Sequence, residues 1–259
     1  MREYCGNIYI MLNIHDSVSI KEKFMLWTKE KSDFHRRAFI KQAIEKGKVY
    51  TYDHPDRGLI NSPSNYSESE TSVIPFWSIE AMASKGPIAE EIKKDGYSLI
   101  AMDVDIFFYK CIPFLEDREA LVGANWSYED WIGGEYAPFE IQENLMHEVN
   151  EIRLREFKQE FLTIGKVWTI LVDGEKLLLN SKMLYSDQKA LLPIWSQESL
   201  AISLLQDCSQ PNYKLCQWDK DTLIKELTGQ DVEIILNMRK EGINAEVKLD
   251  DFLVVLNTL

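Results

Sequence analysis

The chain has 259 residues, 45% of them hydrophobic and 11% aromatic, with 29 basic against 42 acidic side chains and a net charge of −13. That much apolar content can bury a core, which excludes general disorder. The acidity excludes a generic nucleic-acid binder, whose affinity comes largely from Lys and Arg neutralising phosphates.

The elements follow in chain order. The apolar run Ile8 to Ile14 is short and interrupted by Asn13. It lacks a basic n-region and a small-residue cleavage site, so no signal peptide is expected, and no stretch approaches the roughly 18 apolar residues of a membrane span. Phe34, Ala38, Phe39, Ala43 and Ile44 share a helical face over 33–46, and Gly47 closes that helix. Lys48 to Tyr52 alternates and is β-rich. Asn61 to Ser72 reads as a polar loop, and Val73 to Trp77 as a short strand whose Pro75 places it at an edge or a strand end. Ser78 is expected to cap the helix that begins at Ile79. Tyr97 to Met102 is a strand, Asp105 caps a helix from Ile106, and Leu121 to Trp126 is a last strand. Further on, Val167 to Val172 and Lys176 to Leu179 flank Asp173-Gly174, which predicts a two-residue hairpin turn. Strands and helices mix without regular βαβ spacing, so the expected fold class is α+β.

Shifted by 118 residues, the chain matches itself. Phe39 falls on Phe157, Gly47-Lys48-Val49 on Gly165-Lys166-Val167, and Thr51 on Thr169. Leu59 falls on Leu177, and Pro75, Trp77, Ser78, Glu80 and Ala83 fall on Pro193, Trp195, Ser196, Glu198 and Ala201. That makes 11 identities over the 45 positions from 39 to 83, where roughly three are expected by chance. With small deletions the match continues through Tyr97/Tyr213, Leu99/Leu215, Asp103/Asp219, Asp105/Asp221 and Asn125/Asn237. The expectation is two tandem copies of one small α+β domain with a mixed or antiparallel sheet, at residues 32–147 and 148–259, after an N-terminal segment 1–31.

The run Val73 to Ser78, the strand to Asp103-x-Asp105, then Phe107, Pro113, Leu115 to Asp117 and the strand Ala120 to Trp126 resemble a bacterial domain-of-unknown-function family, number 2750. The second copy keeps Val167-Trp168 and Pro193-Ile194-Trp195 but has no counterpart of Pro113 and carries Met238 in place of Trp126. The family brings no established chemistry. Some small acidic bacterial domains of this kind resemble immunity proteins of polymorphic toxin systems, and that is what the resemblance implies here.

Several residues invite chemistry. Asp103-Val104-Asp105 looks like the metal-binding pair of a nucleotide-sugar transferase, which would hold a divalent cation through carboxylate oxygens. The rival is a strand stop followed by a helix cap, and Asp219-Lys220-Asp221 puts a Lys between the matching pair in copy two. Ser78 and Ser196 lack a similarly placed His, so helix capping outweighs nucleophilic catalysis. Gly133-Gly134 reads as a turn, Trp77 and Trp195 as core aromatics, and Cys111 as a buried free thiol. No two of the four histidines have helical ligand spacing, so no metal or other cofactor is expected.

Charge is the most suggestive signal. Residues 116–143 hold eight acidic residues against Arg118 alone, with Trp126, Tyr128, Trp131, Tyr136 and Phe139 interleaved. Acidic groups steer encounter with a basic partner and aromatics supply affinity. The candidate partner-binding residues are therefore Glu116, Asp117, Glu119, Tyr128, Glu129, Asp130, Trp131, Glu135 and Tyr136. The expected function is a non-enzymatic, cytoplasmic immunity protein that occludes a basic toxin domain, with no nucleic-acid or membrane partner. The alternatives are a metal-dependent transferase using Asp103 and Asp105, and a tandem regulatory module.

Overall fold

The structure is a computed structural model. It describes residues 29–66, 71–127, 129, 132–180, 189–206 and 212–259. The fold is α+β: helices pack on four small sheets. The chain divides into two compact units, with the boundary between Leu145 and Met146.

In the first unit, α1 (Lys29–Lys46) ends at Gly47, whose φ of 68° is the left-handed conformation that a glycine adopts without a Cβ penalty. Strand β1 (Lys48–His54) pairs antiparallel with β2 (Gly58–Leu59) and β5 (Ser98–Asp103) in a three-stranded sheet. A second sheet has the order β3 (Ser62–Pro63), β4 (Ser72–Phe76), β6 (Leu121–Ala124), β7 (Gly134–Tyr136), with β4 and β6 parallel. Between the strands lie α2 (Glu80–Ala83) and α3 (Pro87–Lys94). After β5 come α4 (Val104–Ile106), a π-helical turn π1 (Phe107–Cys111) and α5 (Ile112–Glu116).

Strand β4 is not an edge strand. Even so, β3 pairs only with Ser72 and Val73, so Pro75 lies beyond its end, and the missing N–H is not needed there. The π turn has a similar cause. Pro113 has no N–H, and the Ile112 N–H bonds to the Phe107 carbonyl. The Phe108 carbonyl, left without a helical donor, accepts instead from Gln142 Nε2 at 3.3 Å. Burial of the nearby Cys111 pushes its thiol up to about 12.

The second unit runs from within α6 (Pro138–Ile164) to the C-terminus. Strand β8 (Lys166–Val172) pairs with β9 (Glu175–Lys176) and β12 (Tyr213–Asp219). Asp173 and Gly174 turn the β8–β9 hairpin with φ of 53° and 90°, as the two-residue signal predicts. The other sheet has the order β10 (Leu179–Asn180), β11 (Ala190–Ile194), β13 (Val232–Leu236), β14 (Ala245–Lys248), with β11 and β13 parallel. Helices α7 (Glu198–Leu205), α8 (Lys220–Leu227) and α9 (Leu249–Asn257) complete the unit. Phe157 of α6 meets Phe252 of α9 at 5.2 Å between ring centroids.

Candidate functional site

Each unit has a polar buckle where its two sheets meet. In the first, Trp77 follows β4 and exchanges backbone hydrogen bonds with Tyr50 of β1 at 2.7 and 2.9 Å. Its ring is fully buried, and its Nε1 donates to the Trp126 carbonyl at 2.8 Å. Asn125, with a φ of 48°, receives the Ser78 N–H on its Oδ1 at 2.8 Å. The Ser78 hydroxyl donates to Gln42 Oε1 at 2.7 Å.

Ser78 is therefore not a helix cap. It is buried, and the cap position of α2 belongs to Ile79, whose side chain makes no capping bond. The sequence places Ser78 correctly before the helix. What it hides is that Asn125, 47 residues on, claims the Ser78 N–H.

The second unit builds the same arrangement. Trp195 exchanges backbone bonds with Trp168 at 2.8 and 2.9 Å, and Ser196 N–H donates to Asn237 Oδ1 at 2.8 Å. Here the residue that receives the Ser196 hydroxyl is Glu160, which also accepts from Gln197 Nε2.

The candidate docking residues separate into groups. Asp117, Glu119 and Glu129 are exposed, and Glu116 is half-buried. Tyr128, Asp130 and Trp131 lie outside the described residues. Glu135 and Tyr136 stand on β7, a strand not expected from the sequence, and they correct the reading of that segment as an open surface. Tyr136 is 5% exposed, with the Arg36 guanidinium 5.5 Å from its ring centroid. Glu135 accepts from Ser64 Oγ at 2.5 Å and from the Asn65 N–H at 2.7 Å. Burial raises its carboxyl above the ordinary range, and the bonds from Ser64 and Asn65 oppose that rise. Trp126 is fully buried, its ring lying over Gly123, where a Cβ would fall 2.6 Å from Cε2.

The paired aspartates do not converge. Asp103 lies 3.7 Å from Lys48 Nζ, an exposed pair, and Asp105 Oδ1 accepts from the next backbone N–H at 2.9 Å. In the second unit Asp219 is the helix cap, accepting from the Thr222 N–H at 2.9 Å, and hydrogen bonds from the Thr222 side chain and then its backbone hold the carboxyl below the usual range. Asp105, expected as a cap, and its counterpart Asp221 both sit at the second residue of their helices, two positions past the cap. Among the described residues no cluster of three or more His, Cys, Asp and Glu side chains could hold a metal ion, and no helix is long and apolar enough to cross a membrane. An open cavity of about 460 Å³ lies beside Lys46, Tyr50, Ser78, Glu80 and Ser84.

Residues 36–145 match the family described as "Protein of unknown function (DUF2750)", and the match stops at the boundary of the first unit. No curated protein matches the chain. Among solved structures it is similar to "Anabaena Tic22 (protein transport)" at 12% identity and a TM-score of 0.22, covering 86% of this chain and 96% of that one. It is also similar to "Tic22 from Plasmodium falciparum" at 12% identity and a TM-score of 0.21, covering 85% and 98%.

Proposed function

We propose that the chain is a non-enzymatic, acidic binding protein of the bacterial cytoplasm: an immunity protein that neutralises a cognate toxin by occluding it. We further propose that its two units are copies of one domain. The duplication is supported by the 11 identities in 45 positions and by the recurrence of one strand order and one buckle geometry.

The observation that carries the partner's chemistry is a set of exposed carboxylates without counter-ions. Among the described residues, Asp117, Glu119 and Glu129 make no ion pair, in a segment of eight acidic residues and one basic. Unpaired surface charge of one sign raises the encounter rate with a partner of the other sign. Aromatic anchoring falls to the half-exposed Phe114 and Phe139 and to Tyr128 and Trp131, because Trp126 and Tyr136 are packed inside.

The test starts from a partner captured by the tagged protein from its native host. Reversing Asp117, Glu119 and Glu129 together to Lys should slow association about tenfold or more, and the wild-type on-rate should fall as salt rises. An affinity indifferent to salt and to the triple reversal would sink the reading. The interface should use the first unit more than the second, whose matching tail carries only Glu241, Glu246, Asp250 and Asp251.

A further inference from the structure

We infer that the outer edge of β5 is a docking site for an added strand: an extended segment of a basic protein, apolar in its middle and carrying Lys or Arg at its ends. The inference stands apart from the acidic segment 116–143 and survives if that docking reading fails. Its ground is an unpaired strand edge that is apolar along its length and acidic at its ends.

The ladder shows which groups are free. Strand β5 lies at the end of its sheet, in the order β2, β1, β5. Ala101 stands opposite Tyr50 of β1, and Tyr50 uses both its N–H and its carbonyl on Trp77, on the far side of β1. Leu99 stands opposite Tyr52, whose carbonyl accepts from the Ile60 N–H on that same far side. Opposed residues of this kind in an antiparallel ladder exchange no hydrogen bonds, and each turns its polar groups away from the other strand. The N–H and carbonyl groups of Leu99 and Ala101, and the Asp103 N–H, therefore point out from the sheet. Among the described residues no hydrogen bond reaches them.

Natural edges are usually blunted by Lys, Pro or a bulge. Ser98-Leu99-Ile100-Ala101-Met102 has no Lys and no Pro, and its pairing with β1 runs without a bulge. Strand β12 holds the matching place in the second unit, at the end of the order β12, β8, β9. That edge is blunted: Lys214 stands where β5 has Ser98, and Gln217 where β5 has Ala101.

Charge selects the occupant. Residues 95–105 hold Asp95, Asp103 and Asp105 and no Lys or Arg, whereas 211–221 hold Lys214 and Lys220 against Asp219 and Asp221. Lys48 lies 3.7 Å from Asp103, and among the described residues Asp95 and Asp105 make no ion pair. A strand laid along β5 meets carboxylates at both ends, which Lys or Arg on the incoming segment would answer. Between them its side chains stand beside Leu99 on one face of the sheet and beside Ile100 and Met102 on the other, all three half-buried. Backbone bonds to the free groups supply affinity, and those apolar neighbours supply specificity. A second copy of β5 would bring the same three carboxylates, which makes it the poorer occupant.

The test selects short random peptides displayed on phage against the full chain, then follows amide hydrogen exchange by NMR with the selected peptides. The peptides should carry Lys or Arg around an apolar middle. In the free chain the amides of Leu99, Ala101 and Asp103 should exchange fast while those of Ile100 and Met102 are protected, and peptide should slow the first three about tenfold or more. Ala101→Pro removes an outward N–H that the sheet does not use, which an edge strand tolerates, and should weaken peptide binding about tenfold or more. Gln217→Pro, the matching change in β12, should leave binding as it is. Reversing Asp117, Glu119 and Glu129 to Lys tests the other docking reading and should leave the same three amides protected by peptide. Protection of those amides in the free chain overturns the inference, since the edge is then already covered by another segment or a second copy. Failure to select any peptide, selection of peptides without basic residues, protection elsewhere, or a folded Ala101→Pro that binds as wild type also overturns it. If Ala101→Pro does not fold, the exchange pattern of the wild type decides alone.

Discussion

The two buckles have one backbone geometry but different chemistry. In the first unit Ser78 meets the neutral amide of Gln42, and the next residue, Ile79, has nothing to donate. In the second unit Ser196 meets the carboxylate of Glu160, and the next residue is Gln197, whose amide donates to that same carboxylate. A half-buried carboxylate needs more donors than an amide, because its oxygens are acceptors only. The acid at 160 and the amide at 197 therefore belong together. The Trp, Ser and Asn hold the join between sheets in each unit, and the fourth position is free to vary as long as its neighbour varies with it.

The hardest way to break this comparison is to remove the ring at its centre. Trp77 and Trp195 are both fully buried, and each closes a bridge between sheets. Trp77→Ala and Trp195→Ala should each cost about 3–5 kcal/mol in denaturant unfolding. Trp77 is packed among Tyr52, Ile60, Val73 and Trp126. Around Trp195 the buried neighbours are Trp168, Ile170 and Ala201. If one of the two substitutions costs less than about 1 kcal/mol, well below the range for a buried large-to-small change, the buckles are not equivalent.

A finer probe exchanges the residue that receives the serine. Glu160→Gln replaces bonds to a charged acceptor with bonds to a neutral one, a loss of about 1 kcal/mol. Gln42→Glu should also destabilise, because Ile79 offers the new carboxylate no second donor. Combining Gln42→Glu with Ile79→Gln should recover part of that loss in a double-mutant cycle. If Gln42→Glu alone stabilises the protein, the coupling between the two positions is not what sets their identity.

Much of this was legible in the sequence and some was not, for identifiable reasons. The strand β1, the hairpin at Asp173-Gly174 and the burial of Trp77, Trp195 and Cys111 follow from period, turn chemistry and apolar context. The buckle could have been found. Asn125 and Asn237 are polar residues at the end of apolar strands, aligned between the two halves, and an Asn there signals a left-handed backbone. Strand β7 was not legible, since three residues after two glycines carry no alternation to read. That blind spot misplaced Glu135 and Tyr136. An acidic residue next to aromatics looks like a docking surface until a strand turns one of them onto a neighbouring loop and the next into the core.

The smallest expected effect lies at the two aspartates that end β5 and β12. Both occupy the position before a helix, Asp103 before Val104 and Asp219 before Lys220. Both have an extended backbone, but only Asp219 places its carboxylate on the third N–H of its helix, which runs eight residues against three after Asp103. A cap matters when it satisfies an orphan N–H of a helix long enough to have a dipole. Asp219→Ala should therefore lower the melting temperature more than Asp103→Ala, which loses an exposed pair with Lys48. The difference should depend on pH with a definite sign. The carboxyl of Asp219 is held below its ordinary value by hydrogen bonds from the Thr222 side chain and backbone, so its stabilisation is present above the unfolded carboxylate range and disappears as pH falls through the lowered folded value. Melting curves of wild type and Asp219→Ala should converge in strong acid and separate at neutral pH, while those of Asp103→Ala stay close to wild type throughout. Equal shifts for the two variants at neutral pH would show that the aspartates do the same work and that the Thr222 cap bond is immaterial.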